Sequence, residues 1–193
     1  MRKDLRAVFP VVFFLLLAAP YLSALEVPKR AEGYVTDRAG LLPASVRSDL
    51  ETTLRVFEEK TSNQIVVATF PSLEGDSLED FSMRLAEAWK AGQRRRDNGV
   101  IFLIFKNDRK IRIEVGYGLE GVLTDAQSFW LIRDVMTPAF KNGDYAGGLN
   151  GVVDKIIGAV SGGQAVPSES PTPPSPGSSN GLGFNWFFFI FYI

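Results

Sequence analysis

The chain has 193 residues, 46% of them hydrophobic, and a formal net charge of −1, which fits one ordinary globular domain with appended segments and implies no nucleic-acid or polyanion surface. It contains neither Cys nor His, so disulfides, Cys/His zinc sites, thiol nucleophiles and Ser-His-Asp triads are excluded by inventory. Any chemistry falls to Asp, Glu, Lys, Arg, Tyr, Ser or Thr, and a metal held by these meets mainly oxygen, which suits calcium or magnesium better than zinc or copper.

The N-terminus reads as an export signal. Arg2, Lys3 and Arg6 precede an apolar run from Ala7 to Leu22, and Leu22-Ser23-Ala24 offers a small residue at the cleavage point. Residues 1–24 are expected to be removed. The competing reading, an uncleaved signal anchor, rests on Leu22 not being a small residue. Either reading puts the folded part outside the cytoplasm, where the lack of Cys means that stability does not depend on oxidation.

The folded domain is expected over residues 27–160. Its first helix is predicted to start at Pro43, a residue suited to a first turn, with Val46, Leu50, Leu54 and Phe57 on one face and an end near Thr61-Ser62-Asn63. Gln64 to Phe70 is continuously apolar and β-branched, the pattern of a strand covered on both faces. Ser77-Leu78-Glu79-Asp80 resembles a capping box for a second helix that buries Leu78, Phe81, Leu85 and Trp89 and ends at Gly92. Gly99 to Phe105 is again apolar throughout and is predicted to pair parallel with Gln64 to Phe70 through a right-handed crossover.

Lys106 to Arg109 is predicted as a tight turn, after which Lys110 to Val115 alternates charged and apolar residues, as expected of an antiparallel hairpin partner. Thr124 with Gln127 reads as a capping box opening a helix through Phe129, Ile132, Val135 and Met136, interrupted by Pro138. A last helix is predicted from Tyr145 to Val160. The expected fold is α/β, a small mixed sheet sandwiched between helices in a single domain.

Residues 161–181 shift to Pro, Ser and Gly and read as a linker. Residues 182–193 include the apolar run Trp186 to Ile193, shorter than the roughly 20 residues of a spanning helix. Two readings compete for it: the start of a truncated transmembrane segment, or a short sticky tail. Truncation is preferred because an exposed aromatic run is an aggregation hazard.

The richest stretch chemically runs from Asp97 to Asp125. Gly116-Tyr117-Gly118-Leu119-Glu120-Gly121 follows a strand, and its glycines are expected to adopt positive φ and present backbone groups. Glu120 and Asp125 flank this loop, hairpin pairing brings Asp97 beside it, and Asp37 joins only if the lead-in YVTDRAGLL folds back. Converging carboxylates need a cation, a proton or an arginine, and calcium is the natural occupant, which makes Asp37, Asp97, Glu120 and Asp125 its candidate ligands, with magnesium the stricter alternative. If a phosphate ester bound there too, Arg112 or Arg109 would neutralise its oxygens. The solvated readings stand beside these: Asp125 as a helix N-terminal charge, Asp97-Asn98-Gly99 as an ordinary turn, Asp37 as a local cap. GYGLEG matches neither the phosphate-cradling nor the dinucleotide pattern, so no nucleotide is expected. Arg94-Arg95-Arg96 reads as a solvated loop or a contact with anionic lipid.

YVTDRAGLL, QIVVATF, DNGVIFLIF and RKIRIEVGYGLEGVLTD, followed by PAF and GDY, resemble the TPM domain family over nearly all of 31–160. The resemblance implies an exported α/β domain followed by a low-complexity region around a membrane anchor. It is similar in this to a plant thylakoid lumenal acid phosphatase and to calcium-binding bacterial members. By position, Asp37, Asp97, Glu120 and Asp125 match the family's acidic motif, with Arg112 nearby. The expectation is therefore an extracytoplasmic, membrane-tethered domain that binds calcium through the acidic glycine-rich loop in membrane-protein or envelope maintenance. The alternative is a metal-dependent acid phosphatase with Asp97 and Asp125 as its catalytic residues.

Overall fold

A computed structural model describes residues 25–162; the expected signal peptide, nearly all of the linker and the apolar tail lie outside the described residues. A four-stranded sheet is ordered β1-β2-β3-β4, with β1 Val35–Asp37, β2 Gln64–Phe70, β3 Gly99–Phe105 and β4 Lys110–Val115. The first three strands run parallel and β4 returns antiparallel. Gln64 lies opposite Gly99 and Phe70 opposite Phe105, while Val100 faces Val115 and Phe105 faces Lys110. The three later strands have the predicted bounds. Strand β1 is an addition, held at the sheet edge because Glu51 accepts from the Tyr34 and Val35 N–H groups at 3.0 and 2.8 Å.

Helix α1 (Ala44–Thr61) buries Leu50, Leu54 and Phe57, with Pro43 as the residue before its first turn. These side chains pack with Ile65, Val67, Val100, Phe102 and Ile104 on one face of the sheet. On the other face, Leu78, Phe81 and Leu85 of helix α2 (Leu78–Trp89) pack with Ala68, Phe70, Ile101, Leu103 and Phe105. Covering both faces is what makes β2 and β3 apolar at every position but their first and Thr69. The two crossovers, β1-α1-β2 and β2-α2-β3, progress the same way across the sheet yet place their helices on opposite faces. They therefore have opposite hands, and one of them departs from the strong right-handed preference of such units.

Ser77 caps α2 by accepting from the Asp80 N–H at 3.3 Å, but the reciprocal half of a capping box is missing because Glu79, one position early, receives the Ser77 hydroxyl instead. The helix ends at Trp89 with Lys90 in the left-handed region, ahead of the predicted Gly92. Gly92, at φ +90°, closes the following loop against Asn98 and Gly99.

The capping box at Thr124 and Gln127 forms as predicted, opening helix α3 (Asp125–Trp130). Pro138 does not interrupt the helical run. A π turn over Leu131–Met136 leads into α4 (Thr137–Lys141) with Pro138 in its first turn. Proline lacks an N–H and collides with the carbonyl four residues back in a regular α-helix; the wider π turn relieves that geometry, and the Thr137 hydroxyl takes the Ile132 carbonyl at 2.9 Å. Helix α5 (Tyr145–Val160) has the predicted bounds and buries Leu149, Val152, Val153 and Ile156 beside α1 and the π turn. The α/β class and the small mixed sheet between helices are as expected.

Candidate functional site

Parallel strands give the sheet two chemically different edges. Asp37, Phe70 and Phe105 end β1, β2 and β3 at one of them, where β4 begins at Lys110; Asp97 precedes β3 at the other, where β4 gives way to Gly116. Six residue steps of β3 put about 20 Å between the edges.

At the edge beyond β3, the Lys106–Arg109 turn and the α4–α5 connection frame a cleft of about 380 Å³. Its floor includes Ile104, Ile111 and Phe140, and its rim carries Lys106, Arg109, Lys110, Lys141 and Tyr145. No carboxylate lines it. Among the described residues, Arg109, Lys110 and Lys141 have no acidic partner, and Lys106 reaches only the Ala39 carbonyl at 3.5 Å. The one acid in the turn, Asp108, is spent on the Leu73 N–H at 2.8 Å. Arg109 adopts φ +54°, which lets the four-residue turn close. Phe140 and Tyr145 meet edge to face with centroids 4.8 Å apart, fixing the wall that carries Lys141. Four cations without an acidic partner over an apolar floor give this cleft a local positive charge.

Asp37 stands at this same edge, far from the glycine loop. Its carboxylate accepts from the Leu41 and Leu42 N–H groups at 3.1 and 3.0 Å and from the Thr69 hydroxyl. Burial alone would raise its pKa, but the Thr69 hydroxyl, the two backbone donors and the Arg47 charge together hold the carboxyl below its ordinary value. Asp37 thus closes the turn that launches α1, the local role weighed from the sequence. Removing it as Asp37→Ala is expected to cost about 2 kcal/mol, read from chemical denaturation. Because the folded pKa is depressed, this stabilisation is present above the ordinary aspartate value and lost as pH falls through the lowered one. The difference between wild type and Asp37→Ala should therefore shrink only below about pH 4.

At the opposite edge, Asp97 does lie beside the glycine loop, but through its backbone: its carbonyl accepts from Gly118 N–H at 3.0 Å while its carboxylate is exposed. The loop glycines are not there for positive φ, which is found at Gly40, Gly75, Gly92, Gly143 and Gly162. A Cβ at Gly116 would fall on the Asp97 carbonyl oxygen, and one at Gly118 on that of Arg96. Close backbone approach explains Gly116 and Gly118. Glu120 and Asp125 are exposed, and Asp125 occupies the first turn of α3, where a negative charge suits the helix. Arg112 lies mid-strand and pairs with Glu114 on the α2 face of the sheet.

The structure therefore does not bring the expected residues together. Asp97, Glu120 and Asp125 share one edge, while Asp37 and Arg109 occupy the other. Among the described residues no three acidic side chains form a group that would hold a metal ion, so the four candidate ligands do not fit one calcium or magnesium ion. Lys106, Lys110, Lys141 and Tyr145 were missed in the sequence; the signal was the basic turn KNDRK at the end of an apolar strand. Asn98, read as an ordinary turn residue, is 4% exposed and ties the Ser62 carbonyl, Asn63 and the Gln93 N–H together.

The charged cleft of this α/β sandwich lies among the loops at the carboxyl end of parallel strands, where open sheets of this kind commonly carry ligands. Residues 35–159 match the TPM domain, and the chain belongs to that family. The fold resembles the N-terminal domain of a P. gingivalis protein solved by NMR, 36% identical with a TM-score of 0.62, covering 67% of this chain and 82% of that one. Two further NMR structures share the fold at lower identity. The N-terminal domain of a Corynebacterium glutamicum protein is 18% identical (TM-score 0.52, 76% and 90% covered). A protein of the psychrophilic bacterium Bizionia argentinensis is 21% identical (TM-score 0.55, 66% and 86% covered). No curated protein matches the chain.

Proposed function

We propose that this TPM domain is exported, tethered to the membrane through the apolar segment at 182–193, and binds a phosphate-bearing anion in the basic cleft, serving envelope or membrane-protein maintenance by binding and not by turnover. The observation that carries the reading is the set of cations Lys106, Arg109, Lys110 and Lys141 converging on one cleft without a carboxylate in its lining. Such an arrangement gives the cleft a positive field that favours an anion. Export rests on the basic and apolar pattern of residues 1–24, and tethering on the aromatic run at 186–193. Among the described residues, no helix is long and apolar enough to cross a membrane.

Phosphatase activity is the second reading, favoured by Arg109 in the cleft. Asp97, one of its expected catalytic acids, lies about 20 Å away at the other edge, so it and Arg109 do not act on one phosphate. The lining offers Tyr145 and lysines but no carboxylate to orient water. Equilibrium dialysis against inorganic pyrophosphate tests both. Saturable binding that falls at least tenfold in Lys106→Glu/Arg109→Glu, with no hydrolysis of an aryl phosphate, supports the binding module. Hydrolysis abolished by Arg109→Glu in a folded protein would establish the enzyme instead. Calcium keeps a separate test: millimolar calcium that shifts amide signals at Asp97 and Gly116 to Asp125 would return the ligand to the acidic edge.

A further inference from the structure

Leu25 follows the expected cleavage point of the export signal, and both of its backbone polar groups are held by charged side chains. The Leu25 N–H donates to Asp76 Oδ2 at 3.0 Å. The same carboxylate pairs with Arg84 of α2, and its other oxygen accepts from the Ser77 N–H at 2.8 Å. Arg84 in turn donates to the Leu25 carbonyl at 2.9 Å. The Asp76 side chain is only 10% exposed. The Leu25 and Val27 side chains pack on the second core beside α2, and the Trp89 indole N–H takes the Pro28 carbonyl at 2.7 Å. Residues 25–28 thus form a strap along α2 with both backbone groups of Leu25 satisfied by charged partners.

We infer that Leu25 is the mature N-terminus and that Asp76 is the receptor for its α-ammonium group, so that processing at Ala24–Leu25 completes the fold. The inference rests on the export reading. Hydrolysis of the Ala24–Leu25 amide by an envelope peptidase consumes one water: Ala24 leaves as a carboxylate, and the Leu25 nitrogen leaves the amide and becomes an ammonium at neutral pH. Before the cut, Asp76 accepts a hydrogen bond from a neutral amide. Afterwards the same nitrogen carries a full positive charge and three donors, and a charge-assisted bond replaces a weaker one. The acceptor is shielded from water, which reduces the screening that makes exposed pairs weak. Arg84 already sits on Asp76, so one carboxylate bridges two cations. That explains why the Leu25 carbonyl is turned to Arg84: it offers the guanidinium a second acceptor.

Two measurements test the inference and separate it from the export reading. N-terminal sequencing of the chain purified from the envelope should begin at Leu25; a chain that stays in the cytoplasm refutes export, whereas an exported chain that begins elsewhere or keeps its signal overturns this inference alone. Chains covering 25–193 and 24–193 should then be compared in detergent by chemical denaturation at neutral pH. The form with a free Leu25 amine should have a folding equilibrium constant at least about tenfold larger, and Asp76→Asn should erase that difference. The one-residue extension leaves Asp76 intact, so the comparison holds even if Asp76→Asn folds poorly. Equal stability of the two forms, or a difference that persists in a folded Asp76→Asn, would overturn the role assigned to Asp76.

Discussion

Phe81→Ala is expected to cost about 3–5 kcal/mol of folding stability. Phe81 is fully buried and stands edge to face with both Phe70 and Phe105, at centroid distances of 5.3 Å to each, while Phe70 and Phe105 stack at 5.5 Å. These three rings join α2 to the carboxyl ends of β2 and β3. Truncating the central ring loses its transfer free energy and leaves a cavity that two strands and a helix cannot jointly fill. The effect extends to function because Phe105 is the last residue before the Lys106–Arg109 turn. A urea midpoint shifted by that amount, with an unchanged slope, and weakened pyrophosphate binding in the folded fraction are the expected results. A loss below about 1 kcal/mol would mean that the cluster does not secure α2.

Gly118→Ala is the second large effect, about 3 kcal/mol or more, at and beyond the upper end of ordinary overpacking. The new methyl would land on the Arg96 carbonyl, which belongs to backbone and has no side-chain rotation to escape by. The Gly118 N–H bond to the Asp97 carbonyl would break with it. Gly121→Ala, with open space around its Cβ, should be close to neutral and serves as the control. If the two variants melt together, the glycines answer to something other than close packing.

This pair also shows why the acidic edge misled. A run of glycines among acids looks the same in one dimension whether its backbone serves a ligand or a neighbouring strand. The difference lies in the contact between Gly116–Gly118 and Arg96–Asp97, which hairpin pairing brought close as expected but with the carbonyl, not the carboxylate, turned inward. Hydrophobic periodicity, in contrast, marked β2, β3, β4 and α5 to the residue, because burial on one face or two is a local property of the pattern. Strand β1 escaped because three residues carry no period and depend on Glu51 of a later helix. Pro138 misled because its usual penalty assumes a regular α-helix, and the π turn that accommodates it has no signature in the sequence.

The basic cleft was half legible. Arg109 is expected from the sequence as a phosphate contact beside the acidic loop, whereas it stands at the opposite edge with Lys106 and Lys110, and Lys141 and Tyr145 come from a connection more than 30 residues later. Only packing of α4 and α5 beside β3 closes that set. Asp37, a candidate metal ligand from the sequence with a local cap as the alternative, has three donors that engage its carboxylate in the turn that starts α1.

On the proposed function, an anion binds at the carboxyl edge of the parallel strands. Amide NMR of the chain titrated with inorganic pyrophosphate, in the absence of divalent cations, tests it most directly. The predicted result is a saturable set of shifts confined to Lys106–Ile111 and Lys141–Tyr145, absent in Lys106→Glu/Arg109→Glu. Shifts centred on Asp97 and Gly116–Asp125, or none anywhere while the protein remains folded, would contradict it.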